Sequence, residues 1–470
     1  MTRIVIVSNR VGPLSDEGKA GGLAVGLADA LRKRGGIWFG WSGEQTPEGI
    51  DGPAHVEDGP VKLVTVDFSE EDADEFYSGF ANQTLWPILH YRVNLANFER
   101  RFETGYDRVN KRMAAKLMPM LESGDTVWIH DYHYLTLGQA IRQGGFEGPI
   151  GFFLHTPFPA PEIFAALPNA RRLGRSMLEY NVIGFQTERD RRNFRRFVLD
   201  ELGGTTEDGE LLDVDGNHVR TGVFPIGIDA ERFAEFAVSS EAQRRERQVR
   251  NLIRECQQII GVDRLDYTKG IPERFHGFER FLEQHPESRG RIFLLQVAPV
   301  SRGNVDAYSD LRSEMESLAG RINGEHGGLD WAPIRILTRG FARKSLAGIY
   351  RSSRMALVTP LRDGMNLVAK EYVAAQNPDD PGVLILSRFA GAAAELTEAL
   401  IVNPHDDEDV SGAIQKAFHM PLGERQERWN ALNAKVRKTT AESWAANFLD
   451  VLDQIHRDEN TARRAARAGG

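Results

Sequence analysis

The sequence predicts an α/β fold of two doubly wound halves, and three observations predict it. Short, nearly continuously apolar runs alternate with longer stretches of helical periodicity, as expected of parallel strands buried on both faces and joined by helices. That rhythm occurs twice, on either side of a seam bearing proline and glycine at Pro225–Asp229. The length, 470 residues, exceeds what one core sustains and suits two or three domains.

The elements follow in order. Ile4–Ser8 (IVIVS) is the first strand, and the helix-like GLAVGLADALRKR follows it. TVWIHD (126–131), IGFFLH (150–155) and VIGFQT (182–187) are strands, each with helical sequence behind it. Asp215-Gly216 between ELLDV and NHVRTGVF predicts a hairpin. Past the seam come a polar helical stretch, Ser239–Glu255, and then the strands QQIIGVDRL, RIFLLQVAP, IRILT, MALVTP and GVLILS. The expected division is 1–227 for the first domain and 228–441 for the second. A helix at about 442–456 would pack back on the first, and 457–470, small, basic and poor in apolar residues, would be disordered.

Composition narrows the function. Apolar (41%) and charged (27%) contents are those of a water-soluble globular protein. The net charge of −9 argues against sequence-independent nucleic-acid binding, which needs a basic face. The one cysteine, Cys256, rules out an intramolecular disulfide and fits a reducing cytoplasm. The N-terminus enters a strand at once with no signal-peptide pattern, and no apolar run reaches the ~20 residues of a spanning helix. No membrane or nucleic-acid partner is expected; assembly with like copies is left open.

Chemistry-bearing residues gather where strands end. LRDGMNLVAKEY (Leu361–Tyr372) turns from a buried strand through Asp363-Gly364 into a helix, with Glu371 eight residues after Asp363. Free N–H groups and the helix dipole at such a junction suit a diphosphate, and the carboxylates suit sugar hydroxyls. In GVDRLDYTKG, Arg264 and Lys269 follow another strand and suit the same anion, or an ion pair with Asp263 or Asp266. Arg302, in QVAPVSRG, is a third cation at an equivalent place. Gly21 and Gly22 open the first helix without matching a dinucleotide fingerprint, and Arg10 after the first strand is a solvated charge or a phosphate ligand. WIHDYH and LHTPFP bring His130, Asp131, His133 and His155 to neighbouring strand ends. Adjacent His130 and Asp131 diverge from a strand and no cysteine joins them, so sugar hydroxyls or structural roles suit them better than a metal. The aromatic stretch Tyr77–Tyr91 reads as core, with Tyr77 and Trp86 also able to stack on sugars.

Together these motifs resemble the trehalose-6-phosphate synthase family, retaining glycosyltransferases of GT-B architecture with two Rossmann-like domains facing across a cleft. SNR, AGGL, WFGWSGE, LWPILHY, WIHDYH, FFLHTPFP, GFQT, FPIGID, GVDRLDYTKG, APVSRG, AGRINGEHG, TPLRDGMNLVAKEYVAAQ and SRFAGAA carry the resemblance along nearly the whole chain. It implies transfer of glucose from a nucleotide sugar, usually UDP-glucose, to glucose 6-phosphate, giving α,α-trehalose 6-phosphate. It implies a donor site of Gly21, Gly22, Leu23, His155, Arg264, Lys269, Phe341, Asp363, Gly364, Met365, Asn366, Leu367, Val368, Ala369, Lys370 and Glu371. Arg264 and Lys269 would hold the diphosphate, Glu371 the ribose hydroxyls and Phe341 the uracil, while His155 and Asp363 would contact the glucose. Arg10, Tyr77, Trp86, Asp131 and Arg302 would bind the acceptor, and Trp86 and Thr156 match positions tied to anomer selection. Asp131, His155, Arg264, Lys269 and Asp363 would carry the catalysis. The implied route needs no protein nucleophile, metal or cofactor: the acceptor hydroxyl attacks the face the nucleotide leaves, and a leaving phosphate oxygen takes its proton. Two other readings stay open. A relative coupling a cyclitol derivative would lack parts of the set Arg10, Tyr77 and Arg302; a non-catalytic sugar-phosphate sensor would lack Arg264 or Lys269.

Overall fold

The computed structural model describes the chain except residues 1–2, 12–26, 28–30, 32–34, 60, 254–255, 300–305 and 469–470. Gly21, Gly22, Leu23 and Arg302 lie outside the described residues. The chain forms two compact units, Met1–Ile226 with Ala441–Gly470, and Gly227–Thr440.

The first unit holds a nine-stranded sheet. Its strands are β1 (Ile4–Arg10), β2 (Gly36–Gln45), β3 (His55–Glu57), β4 (Lys62–Phe68), β5 (Thr126–His130), β6 (Ile150–Phe153), β7 (Val182–Phe185), β8 (Leu211–Val214) and β9 (Asn217–Val223). Their spatial order is β3-β4-β2-β1-β5-β6-β7-β9-β8, parallel except for β3 and β8 at the edges. Chain order reverses between β1 and β5, where Ile4 pairs with Thr126 and Val7 with Ile129. The β8–β9 hairpin turns on Asp215 (φ 53°) and Gly216 (φ 86°), the left-handed pair a type I′ turn requires.

The second unit holds β10 (Gln257–Val262), β11 (Ile292–Val297), β12 (Ile334–Leu337), β13 (Met355–Val358), β14 (Val383–Ser387) and β15 (Leu400–Val402). Every pairing is parallel, in the order β12-β11-β10-β13-β14-β15. This is the Rossmann order, reversing between β10 and β13. The cores of β10, β11, β13 and β14 are buried, while β12, at the sheet edge, is half-buried beyond Ile334.

The helix Ala441–Ala468 returns to the first unit. Trp444 and Phe448 pack on Trp128 of β5, with ring centroids 4.9 Å apart in each case. Gly151 in β6 and Gly184 in β7 make room: a Cβ there would approach the Phe448 ring to 2.7 and 2.8 Å. The helix continues to Ala468, through the stretch expected to be disordered. TARRAARA lacks large apolar residues, but alanine and arginine are strong helix formers, and continuing a helix past its nucleus is easy. Among the described residues no helix is long and apolar enough to cross a membrane.

Candidate active site

In an open α/β sheet the reversal of chain order leaves a crevice at the strand carboxyl ends, because successive crossovers turn to opposite faces. Each unit has one such point; Arg10 and Asp131 lie at the first, and Lys269 and Asp363 at the second.

In the first unit Arg10 ends β1, and Asp131 follows His130 at the end of β5. The Arg10 guanidinium lies 3.8 Å from the Trp41 ring centroid and 5.9 Å from that of Tyr77. Stacking leaves its N–H edge available to an anion. Gly43 (φ +102°) permits this placement, since a Cβ there would fall on Nη1 of Arg10. Tyr77, half-buried, stands on a π-helical stretch, Ala73–Leu85, a form often associated with functional sites. Its ring stacks on His133 at 5.9 Å and meets Trp41 edge-on at 5.3 Å. Trp86 follows, buried against His90 (4.1 Å) and Tyr132 (5.6 Å).

Asp131 has φ 74° and ψ 168°, a region nearly reserved for glycine and costing about 1–3 kcal/mol for other residues. Its Oδ1 accepts from the His155 backbone N–H at 3.3 Å. The His155 ring lies between His130 (Nδ1···Nε2 3.1 Å) and Gln186 (Nε2···Nδ1 3.4 Å). Burial pushes His155 down to about 3 and His130 well below the usual imidazole range, so both rings are neutral at pH 7. Thr156 is buried, and its hydroxyl has no hydrogen-bond partner among the described residues.

In the second unit the loops after β10 and β13 meet. Buried Arg274 joins them: Nη1 pairs with Asp263 (2.8 Å) and donates to Gln296 (2.7 Å), Nε donates to Thr359 (3.0 Å), and Nη2 donates to the Lys269 carbonyl (3.3 Å). Asp263 is thereby occupied, and exposed Arg264 lies 3.9 Å from Asp266. Lys269 Nζ is 2.5 Å from Asp363 Oδ2. The same carboxylate accepts from Asn366 Nδ2 at 3.1 Å.

Asn366, also left-handed (φ 75°), caps the helix Leu367–Ala375 by accepting from the Ala369 N–H at 3.3 Å. Gly364 and Met365 are buried in the turn before it, where Ala392 N–H reaches the Met365 carbonyl at 2.8 Å. Leu367 and Val368, half-buried, open the helix with their N–H groups at its positive end. Lys370 points elsewhere, its buried ammonium 2.5 Å from Glu395. Glu371 has Arg343 at 3.9 Å, and burial pushes its carboxyl up to about 7. The half-buried Phe341 ring faces the guanidiniums of Arg339 (5.3 Å) and Arg245 (6.0 Å).

Sequence reading missed Trp41, Gln186, Arg274 and Arg343. Trp41 lay inside the quoted WFGWSGE, and Gln186 inside GFQT. One group among the described residues is close enough to hold a metal, Glu279, Glu325 and His326; the last two lay inside the quoted AGRINGEHG, and Glu279 lay in no quoted motif. Arg321 already pairs with Glu279 at 2.6 Å and with Glu325 at 2.9 Å.

The glycosyltransferase family 20 model matches residues 8–454. The trehalose-6-phosphate synthase of Enterobacter sp. (strain 638) is 47% identical over 451 residues, covering 96% of this chain and 94% of that protein. A solved E. coli structure bound with UDP-2-fluoro glucose is similar at 46% identity and TM-score 0.93, covering 96% of this chain and 99% of that one. A UDP-forming α,α-trehalose-phosphate synthase from Burkholderia xenovorans, in complex with glucose-6-phosphate, shares 43% identity and TM-score 0.91, covering 96% and 100%.

Proposed function

The chain belongs to glycosyltransferase family 20, and on that footing we propose that it moves glucose from UDP-glucose to glucose 6-phosphate with retention, giving α,α-trehalose 6-phosphate and UDP. The observation that carries the reading is the second unit's strand-end cluster: Arg264, Lys269 and Asp363 beside the amino end of the helix at Leu367. Those parts match a sugar diphosphate, an anion next to hydroxyls.

Arg264 and Lys269 neutralise the diphosphate, whose charge grows as the anomeric bond breaks. Lys269 is paired with Asp363 here. A phosphate drawing that ammonium away leaves Asp363 to accept from glucose hydroxyls, so donor binding readies the carboxylate that orients the sugar. Glu371 accepts from the ribose, Phe341 lies beside the uracil, and the backbone of Gly364–Lys370 lines the phosphates with Gly21, Gly22 and Leu23. On the acceptor side Arg10, Tyr77 and Arg302 take the phosphate and Asp131 the sugar. Trp86 and Thr156 select the anomer. The acceptor hydroxyl attacks the face the nucleotide leaves and its proton passes to a leaving phosphate oxygen. The protein supplies orientation and charge, not a covalent partner. The nucleotide sugar is a substrate, and no cofactor enters the scheme. A reducing cytoplasm is the proposed location.

The test is a panel of UDP-, GDP- and ADP-glucose offered with glucose 6-phosphate, with nucleotide release and product mass both measured. UDP release matched by a disaccharide phosphate is expected. Nucleotide release without it, or equal release when glucose 6-phosphate is omitted, overturns the reading.

A further inference from the structure

We infer that Gln186 and His130 are positioning residues that hold the His155 ring in one tautomer; the inference rests on the donor-side role proposed for His155. Three adjacent parallel strands bring them together. His130 ends β5, His155 lies just beyond β6 and Gln186 just beyond β7. The ladder is in register up to that edge, with Asp131 N–H on the Phe153 carbonyl (2.8 Å) and Leu154 N–H on the Gly184 carbonyl (3.0 Å).

The direction of the chain of hydrogen bonds follows from its first link. The Gln186 amide oxygen accepts from the Ile226 backbone N–H at 2.9 Å, which fixes which end of the amide is oxygen. Its NH₂ end faces His155 Nδ1 at 3.4 Å and can only donate. Nδ1 of His155 therefore carries no proton, and a neutral imidazole then holds its proton on Nε2. That N–H faces His130 Nδ1 at 3.1 Å, so His130 accepts there and keeps its own proton on Nε2. The relay ends among aromatic rings, Trp128 at 4.4 Å and Trp444 at 6.1 Å, and His130 Nε2 has no hydrogen-bond partner among the described residues. Among the described residues no carboxylate meets that end to favour an imidazolium. Asp131, the nearest carboxylate on these strand ends, accepts from the backbone N–H of His155 instead.

This arrangement suits the proposed chemistry. The anomeric carbon gains positive charge in the transition state. A cationic ring beside it would oppose that charge, and a ring free to turn would leave its place at the sugar. With Nδ1 and Nε2 both engaged, by Gln186 and His130, the ring is held neutral and in one orientation.

The experiment is nitrogen NMR of histidine-labelled protein, with His155 assigned by its loss in His155→Ala, alongside kinetics of Gln186→Glu. Glutamate keeps an acceptor for Ile226 N–H but faces Nδ1 with an oxygen that accepts. In the unsubstituted protein at pH 7 the expected signals are a bare Nδ1 and a protonated Nε2. Gln186→Glu should protonate Nδ1 and lower kcat by about 100-fold, the scale for a misplaced reacting group. Both KM values should change by less than about threefold, since ground-state contacts remain. Gln186→Met, which removes the donor without adding charge, should leave a mixture of tautomers. A protonated Nδ1 in the unsubstituted protein overturns the inference. So does Gln186→Glu with normal kcat when His155→Ala is impaired. Normal turnover in His155→Ala instead overturns the donor-side role on which the inference rests.

Discussion

Glu371→Gln should make the ligand-free protein more stable at pH 8 and a poorer binder of the donor. The side chain is 14% exposed, and Arg343 lies 3.9 Å from its carboxylate. Tyr350, fully buried, has its phenol pushed up chiefly by desolvation and further by the Glu371 charge. Desolvation raises Glu371 from its ordinary 4.5 to about 7. That interval corresponds to about 3 kcal/mol of disfavoured ionisation. The sign follows from proton counting. Between pH 4.5 and 7 the unfolded chain loses a proton that the folded chain keeps, so stability falls as pH rises through that window. Above 7 the full penalty is present; below 4.5 it is absent. Glutamine removes the ionisation, so the variant should gain up to about 3 kcal/mol at pH 8 and almost nothing near pH 4.5. Urea titrations of both proteins without donor, at pH 8 and pH 5, measure this. No gain at pH 8, or an equal gain at both values, refutes the reasoning. Donor titrations should move the other way. The neutral amide accepts more weakly from ribose hydroxyls, so affinity should drop about tenfold, and the parent protein should itself bind donor less tightly as pH falls below 7.

Three further outcomes are expected. Arg264→Ala and Lys269→Ala should each lower kcat about 100-fold at saturating donor, the scale for losing one preorganised charge donor; near-normal turnover would exclude their diphosphate role. Arg10→Ala should raise KM for glucose 6-phosphate with little change for UDP-glucose, and Trp41→Ala should do the same more weakly by releasing the stacked guanidinium; an unchanged KM in the arginine variant removes it from the phosphate site. Gly184→Ala should destabilise the first unit by about 1–3 kcal/mol through overpacking, because its Cβ would meet the Phe153 and Phe448 rings at 2.6 and 2.8 Å; thermal melts reading no loss would mean that the helix carrying Phe448 packs elsewhere.

Much of the architecture was legible because buried parallel strands leave an unambiguous mark. IIGV and MALV carry no polar residue and FLLQV only Gln296, and no helix face reads that way. β2 was harder: GIWFGWSGEQ mixes glycines with tryptophans and ends in exposed polar residues, so it offers neither a continuous run nor an alternation. Missing that strand hid Trp41, whose ring flanks Arg10. The chemistry at strand ends was legible because polar residues after an apolar run have few other reasons to be there. Their pairings were not. Lys269 and Asp363 lie 94 residues apart and meet only once β10 and β13 are neighbours. Asp263 had two plausible cations nearby in sequence, yet Arg274, a helical turn beyond Gly270, takes it. Burial of Glu371 depends on what covers the helix that bears it, and a linear pattern carries no record of that.

The first unit is assembled from two stretches of chain, with all of the second unit between them. During synthesis on a ribosome, residues 227–440 emerge complete while the earlier sheet still lacks the Trp444 and Phe448 rings that cover β5, β6 and β7. The later-made lobe can therefore mature first, whereas the earlier-made one waits with apolar strands uncovered and open to holdase chaperones. A stop codon or frameshift near residue 440 would spare the second unit and strip the first of its lining, so truncated products should aggregate through their amino-terminal half.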